Sequence, residues 1–176
     1  MKAIEITTPI TDEVLSQLKI GQQVLLSGTI YTARDAAHKK LTEAMKNGED
    51  IGFDVTGQII YYAGPCPAKS GSPIGPVGPT TSGRMDAYTP YLLDHGLKAM
   101  IGKGYRSPAV KESIVKNGAV YFAAIGGAAV VIMKCVKAVE LVAFEELGPE
   151  AIRKLTVENM PLVVAVDSFG GDVYER

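Results

Sequence analysis

The sequence has 176 residues, of which 47% are hydrophobic and 21% are charged, a composition typical of a globular protein with one hydrophobic core. Lysine and arginine together number 18 and aspartate and glutamate 19, so the formal net charge is −1. A chain so close to neutrality lacks the broad basic surface that nucleic-acid binding requires, and any attraction for an anion must be local.

Apolar periodicity and turn residues predict strands and helices in alternation along the chain. The strands are predicted at residues 2–7, 22–29, 58–63, 99–102, 119–123, 139–143 and 162–167. The helices are predicted after a cap at Thr11, at 34–46, at 89–94, from Ser107-Pro108 to Asn117-Gly118, at 128–137 (where a Val-Val-Ile run also fits a strand) and at 149–154. This alternation is typical of an α/β fold. Without a linker or repeat, it predicts a single domain over residues 1–176.

The segment 64–83 interrupts the alternation. Fifteen of its twenty residues are Gly, Pro, Ser or Thr. Loops of this length inside a compact domain are uncommon, and they are usually functional or disordered. Strongly apolar elements flank the segment and it carries almost no charge, which favours a functional loop over disorder.

The N-terminal segment and the longest apolar run bear on localisation. Glu5 interrupts the first apolar residues too early for a signal peptide. The run at residues 118–133 is short for a membrane span, and Gly126-Gly127 lies in its middle. The pattern predicts a soluble, cytoplasmic protein.

The two cysteines of the sequence, Cys66 and Cys135, are far apart and show no CxxC spacing. Two thiols do not supply the ligand set that a structural zinc or an iron–sulfur cluster usually takes from one protein chain. They are interpreted as reduced, unpaired thiols. No metal ligand is therefore predicted in this chain, and any cluster must be held mostly or wholly by another one.

The strongest candidate site is the sequence GPTTSGRMD at residues 78–86. Its glycines let the backbone approach a ligand closely, and successive N–H groups form anion-binding turns. Thr80, Thr81 and Ser82 place hydroxyls beside the guanidinium of Arg84, near the predicted start of a helix. A P-loop is excluded because GxxxxGK[ST] is absent. The pattern predicts a carboxylate or similar anion here, with a plain rigid turn as the alternative.

Two more cations occupy positions where a predicted strand ends. Arg34 lies where a strand passes into a helix, and Lys103 stands between two glycines after another strand. Ligands gather at the carboxyl ends of strands in open α/β sheets, although local sequence alone favours an exposed surface role for both cations. His38 and His95 are each solitary and are interpreted as structural.

Taken together, these segments resemble one family, the β subunit of class I (iron–sulfur) fumarate hydratases and tartrate dehydratases, which is the C-terminal domain in fused forms. The motif at residues 78–86 is highly specific. The supporting motifs are Arg34-Asp35-x-Ala-His38, Tyr62-Ala-Gly-Pro-x-Pro-Ala68, Gly102-Lys103-Gly104, Gly126-Gly127-Ala128-Ala129 and Glu146-Leu147-Gly148-x-Glu150-Ala151.

The resemblance implies a swivelling β/β/α domain and an α partner that carries a [4Fe–4S] cluster on three cysteines, with one iron left open. Substrate would lie between the two chains. Arg34, Arg84 and Lys103 would bind substrate carboxylates, and Thr80 would abstract the proton, with its neighbour Thr81 as the alternative.

Two further residues bear on these roles that the resemblance implies. Asp86 is a candidate helper for activating the threonine, since a hydroxyl is a poor base without activation. Cys66 departs from the family pattern, because relatives usually carry threonine there.

The resemblance implies reversible hydration of fumarate to (S)-malate by a hydro-lyase that is active only with its α partner. The same fold and mechanism would serve an L(+)-tartrate dehydratase β subunit. An alternative from another class is a non-catalytic module that binds small anions or assists assembly.

Overall fold

The structure is a computed structural model that describes residues 2–124 and 128–175. Gly126-Gly127 of the family motif lies outside the described residues.

Seven strands alternate with five α-helices in the described chain. The strands are β1 (Ile4–Thr7), β2 (Gln23–Thr32), β3 (Ile59–Tyr61), β4 (Ala99–Gly102), β5 (Val120–Ala124), β6 (Val136–Ala143) and β7 (Ile152–Val166). The helices are α1 (Asp12–Gln17), α2 (Asp35–Lys46), α3 (Thr89–Asp94), α4 (Pro108–Asn117) and α5 (Ala128–Cys135), with 3₁₀ turns at Ser82–Met85 and Glu145–Glu150. This content confirms the α/β class.

Strand pairing closes part of the sheet into a ring. β1 to β5 run parallel to their neighbours in sequence order, whereas β7 runs antiparallel to β5, to β6 and to β2. The pairs β2–β3, β3–β4, β4–β5, β5–β7 and β7–β2 therefore form a closed cycle. The carboxyl ends of β2, β3 and β4 meet at one edge of this ring.

Alternate residues of the strands bury into two different cores, as the period of two requires. Ile59, Tyr61 and Ile101 point into a core formed largely by the strands themselves. Ile60 and Met100 point the other way, into a second core that the helices cover. Helices α2, α3 and α4 contribute to the second core, whereas α1 and α5 add Leu15 and Ile132 to the strand core. The β/β/α layering stays a prediction. The predicted swivelling motion stays a prediction.

Local signals placed most of the helices. Thr11 caps α1 by accepting a hydrogen bond from the Val14 amide at 3.2 Å. Ser107 caps α4 by accepting one from the Val110 amide at 3.3 Å, and Gly118 ends that helix in the left-handed conformation at φ 64°. The helix reading of the ambiguous segment is correct, since α5 occupies it.

One predicted element is wrong. The helix predicted at residues 149–154 is replaced by the end of a 3₁₀ turn and the start of β7. Gly148 has φ 59° and ψ −122°, which interrupts helical geometry just before Pro149. Beyond it, pairing with β2 and β6 holds the chain extended. β7 also continues through the predicted start of the last strand, so one strand of fifteen residues stands where a helix and a strand were expected.

Within the described residues, the structure contains no helix that is both long enough and apolar enough to cross a membrane.

Candidate active site

Three cations lie at the edge where parallel strands end. Arg34 follows β2 by two positions, and Lys103 follows β4 directly. β3 runs between these two strands, so the backbones that carry the cations are about 10 Å apart, or two strand spacings. The carboxyl ends of parallel strands are a common position for ligands in α/β proteins, both in open sheets and in barrels.

The GPTTSGRMD motif lies against the chain just past the ends of β3 and β4. The Thr80 amide donates to the Tyr62 carbonyl at 2.8 Å, just past the end of β3. Thr81 forms a parallel bridge with Lys103, and the Ser82 amide donates to the Lys103 carbonyl at 2.9 Å. The backbone of the motif therefore extends the sheet by one short rung and brings both threonines beside Lys103.

The close approach of the motif to β4 depends on Gly102. A Cβ at this position would collide with the Ser82 hydroxyl and would lie 2.8 Å from Cδ2 of Tyr62. The first glycine of the Gly-Lys-Gly sequence is therefore required sterically. Lys103 follows it and is the residue whose backbone contacts the motif.

Arg84 and Lys103 are exposed. In the described chain, neither side chain forms an ion pair or a hydrogen bond with another side chain. Cations that are held near each other by backbone contacts, without a carboxylate between them, attract an anion.

Arg34 is half-buried, with 28% of its side chain exposed. Its contacts with carboxylates are long, whereas the stem of its side chain packs closely against the chain. Its Nε lies 3.8 Å from the nearest oxygens of Asp35 and Glu150, beyond hydrogen-bond distance. A Cβ on Gly64 would lie 3.2 Å from its Cδ, so the loop after β3 packs directly on the arginine stem. We call Arg34, Arg84 and Lys103 the cation rim, because the backbone segments that carry them lie at or next to this edge.

Thr80 is half-buried and Thr81 is exposed. Backbone contacts place Thr80 against Tyr62 and Thr81 against Lys103. Their individual roles stay predictions.

Asp86 is engaged elsewhere. One carboxylate oxygen accepts from Nε of Arg106 at 2.8 Å, and the other accepts from the Ser107 amide at 2.8 Å. Among the described residues no hydrogen bond joins it to Thr80. These two bonds connect the end of the motif to the start of α4.

Arg106 is the functional-site residue that the sequence did not indicate. It is 2% exposed, and its Nη2 donates to the hydroxyls of Tyr62 at 3.1 Å and Thr89 at 2.9 Å. Its guanidinium lies over the rings of Tyr62 and Tyr121, 5.1 and 4.7 Å from their centroids. We call Tyr62, Asp86, Thr89, Arg106 and Tyr121 the buried polar layer, because Arg106 contacts each of the other four.

His38 supports Arg34 from below. It is fully buried, and its Nδ1 lies 2.8 Å from the Arg34 carbonyl, to which it donates. Burial, with a smaller contribution from the positive charge of Arg106, lowers the pKa of His38 from 6.5 to about 4, against the opposing effect of the bond to Arg34. The ring is therefore neutral at pH 7, in keeping with the structural role predicted for it.

The described residues contain no group of three or more His, Cys, Asp or Glu side chains arranged to hold a metal ion. Cys66 is exposed and Cys135 partly buried, and neither forms a disulfide. The donor set of this chain, two separate thiols, does not fit an iron–sulfur cluster.

Fold and motif together define a class: an α/β protein in which the GPTTSGRMD motif, Arg34 and Lys103 follow the carboxyl ends of parallel strands. The sequence model of the family described as "Fumarase C-terminus" matches residues 1–176. The chain belongs to this family.

Curated relatives cover both architectures of the family. "Fumarate hydratase class I, anaerobic" of Escherichia coli is 42% identical over 92% of this chain and 30% of its own length. "Fumarate hydratase 2" of Leishmania major is also 42% identical, over 92% of this chain and 29% of its own length. "Putative L(+)-tartrate dehydratase subunit beta" of Methanocaldococcus jannaschii is 41% identical over 95% of this chain and 89% of its own length. The chain therefore spans under a third of the two fumarate hydratases.

Proposed function

We propose that this chain is the β subunit of a hydro-lyase that reversibly hydrates fumarate to (S)-malate together with an α partner. The observation that carries the proposal is the cation rim. Arg34, Arg84 and Lys103 come from three separate segments and meet at one edge, and Arg84 and Lys103 have no carboxylate partner in the described chain. Fumarate and malate are dianions, and such an edge complements them.

The cations have a further task beyond binding. When the carbon next to a carboxylate loses its proton, negative charge builds up on that carboxylate. Positive groups already fixed in place stabilise this charge without reorganising, so they lower the barrier as well as bind the substrate. The hydrogen bond from Ser82 to the Lys103 carbonyl supports this role because it fixes the backbone at that position.

Thr80 is the residue proposed to remove the proton. A threonine hydroxyl is a weak base until it loses its own proton, so it needs activation. The positive charge of nearby Lys103 favours the deprotonated form, and Thr80 is anchored by its amide bond to Tyr62. Thr81 is exposed and forms the bridge to Lys103, which leaves its side chain as the second candidate.

The α partner is proposed to hold a [4Fe–4S] cluster, since the two thiols of this chain do not suit one. An iron with an open coordination position supplies Lewis-acid polarisation of the substrate hydroxyl. The residues of this chain bind and orient the carboxylates and move the proton on the other carbon. The requirement for two chains is supported by the relative from M. jannaschii, whose name describes it as a β subunit and which has nearly this length.

L(+)-tartrate is the second candidate substrate. The observation in its favour is the same relative, because it is similar in length to this chain and its name specifies tartrate dehydratase. The fold, the cation rim and the proton-abstracting threonine would be unchanged. Tartrate brings one more hydroxyl than malate, which the α partner or this chain must satisfy.

The deciding experiment mixes this chain anaerobically with a candidate α subunit from the same organism, chosen by its match to the remaining length of the fumarate hydratase relatives. Loss of fumarate and loss of L(+)-tartrate are followed in parallel. We expect turnover of fumarate that requires both chains. A preference for tartrate would select the second candidate, and no turnover of either substrate with an intact cluster would contradict both.

Thr80→Ala and Thr81→Ala separate catalysis from assembly in the same assay. We expect Thr80→Ala to abolish most turnover while the α–β complex still forms in size-exclusion chromatography. Full activity of both variants would favour a non-catalytic anion-binding or assembly module. The isolated chain should show no iron–sulfur absorbance after anaerobic reconstitution, and a stable cluster on it would overturn the proposed division of labour.

A further inference from the structure

The cation rim is carried by segments with little regular structure of their own. Thr80 to Arg84 lies at the end of the long Gly/Pro-rich segment, and Lys103 lies in the short connection between β4 and α4. A pair of cations binds a dianion well only if their separation is fixed, since a displacement of about 1 Å in a catalytic arrangement can cost on the order of 100-fold in rate. Backbone contacts already join the two segments, through the Thr81–Lys103 bridge and the bond from the Ser82 amide to the Lys103 carbonyl. A side chain from the sheet beneath adds a further connection.

The hydroxyl of Tyr121 makes that connection. It donates to the Gly104 carbonyl at 2.8 Å, one residue after Lys103. Its distance to the Ser82 hydroxyl is 2.7 Å. A phenol has one proton, so it must accept from Ser82, two residues before Arg84. One oxygen thus joins both cation-bearing segments.

Tyr121 itself is held rigidly. It lies on β5, its ring is fully buried, and β5 pairs with β4 along the whole length of that strand. The Arg106 guanidinium covers the ring at 4.7 Å from its centroid. Burial raises the pKa of the Tyr121 hydroxyl, so the phenol keeps its proton and remains a donor at neutral pH. Because Tyr121 is fixed in the sheet, its hydroxyl holds Ser82 and Gly104 in fixed positions relative to the sheet.

We infer that Tyr121, acting through Ser82 and Gly104, is the positioning residue that sets the separation between Arg84 and Lys103 in the substrate site. It does not touch the substrate. The inference rests on the proposed function, because it assigns the fixed separation to the binding of a dicarboxylate.

The test uses Tyr121→Phe, which keeps the buried ring and removes only the hydroxyl, and Ser82→Ala, which removes the other end of the same hydrogen bond. In the α–β complex we expect each variant to raise KM for the dicarboxylate and to lower kcat/KM roughly 10- to 100-fold. A merely structural loss would instead reduce the amount of active enzyme, which lowers apparent kcat and leaves KM unchanged.

A double variant and a control sharpen this result. Because the two single variants remove one shared bond, the double variant should be little worse than either alone, whereas independent effects would multiply. Ser113→Ala is the matched control. It removes a buried serine hydroxyl in α4 whose recorded hydrogen bond stays within that helix, and it should leave KM unchanged.

Amide hydrogen exchange on the full chain gives a readout that needs no activity. The Ser82 amide, which donates to Lys103, should exchange faster in Tyr121→Phe, while amides inside β3 and β4 keep their protection. Unchanged exchange at Ser82, or an unchanged KM in an active complex, would overturn the inference. An inactive wild-type complex would count against the proposed function, and exchange at Ser82 would still decide whether Tyr121 holds the two segments together.

Discussion

The cation rim and the buried polar layer lie at the same edge of the sheet, and they satisfy their charges in opposite ways. In the rim, Arg84 and Lys103 are exposed and have no carboxylate partner in the described chain. In the layer beneath, Arg106 is buried against a carboxylate, two hydroxyls and two aromatic rings. Unpaired charge in water is available to a ligand, while paired charge in the interior holds the segments that carry it. Binding and folding should therefore respond separately to substitution.

The largest expected effect is on folding, at the centre of the buried layer. Arg106→Met should lower the free energy of unfolding by about 3–5 kcal/mol, because it leaves the carboxylate of Asp86 without its partner in a largely buried place. Urea denaturation of the isolated chain measures this as a lower midpoint at unchanged slope.

The comparison variant is Lys40→Met, which breaks the exposed ion pair with Glu146. It should cost far less stability, since exposed pairs contribute little. Equal losses in the two variants would remove the distinction between buried and exposed charge.

The next effect is on activity, at the rim. Arg84→Ala should reduce kcat/KM of the α–β complex by roughly 100- to 1000-fold, because a fixed cation is lost where negative charge develops. The thermal midpoint of the chain should hardly change, since the side chain is exposed. Steady-state kinetics and a thermal melt on the same preparation measure both quantities.

Lys69→Ala is the control for Arg84→Ala. Lys69 is an exposed cation in the same Gly/Pro-rich segment, outside the motif, and its loss should leave both the kinetics and the melt unaffected. If Arg84→Ala weakened folding as much as turnover, Arg84 would not be a substrate ligand.

The third effect is a dependence of stability on pH, and it comes from His38. Its pKa is lowered to about 4 in the folded chain, so between pH 6.5 and 4 the unfolded chain binds a proton that the folded chain does not. The free energy of unfolding therefore keeps its full value, as far as His38 is concerned, above pH 6.5. It falls by roughly 3 kcal/mol as the pH drops from 6.5 to 4.

His38→Asn, which can still donate to the Arg34 carbonyl, should flatten the pH profile of the unfolding free energy relative to wild type. His95→Asn is a matched control, because His95 has the same bond from Nδ1 to the carbonyl four residues earlier but is exposed. A slope that is unchanged in His38→Asn would rule out His38 as the source of the pH dependence.

The smallest effect is a gain. Thr32 ends β2 and is fully buried, and its hydroxyl has no hydrogen-bond partner among the described residues. Thr32→Val should raise the free energy of unfolding by up to about 1 kcal/mol, because a buried unsatisfied hydroxyl costs stability that a methyl group does not. Differential scanning calorimetry should show a higher melting temperature, and a lower one would mean that the hydroxyl has a partner.

The positions of the rim residues near strand ends could be predicted from sequence and the contacts of the buried layer could not, for a physical reason, while the roles of the rim residues stay predictions. Arg34, Arg84 and Lys103 stand beside glycines or at strand ends, and these local features indicate an exposed turn near a sheet edge. Arg106 precedes a helix cap and has the local pattern of a surface arginine. Its burial depends on Tyr62 and Tyr121, which are distant in sequence, so no local pattern signals it.

The same division applies to the fold. Helices α3 and α4 and strand β4 were predicted within a residue, because caps, a proline and short apolar runs define them locally. The helix predicted at 149–154 failed because the extended state of β7 is stabilised by partners more than a hundred residues away in β2. Asn159, with φ 53°, lies near an irregularity in that pairing.

The closed cycle of strands has a consequence for the order in which this chain can fold. Tyr31 pairs with Lys154 and Val24 with Leu162, so the ring closes only after β7 has been synthesised. Contacts of such long sequence separation are slow to form because the entropy of closing a long loop must be lost first. Until β7 docks, one edge of β2 is unpaired and the strand core lacks the apolar side chains of β7. We expect nascent chains that end before residue 152 to stay protease-sensitive, and we expect the late step of refolding to be the insertion of this single strand.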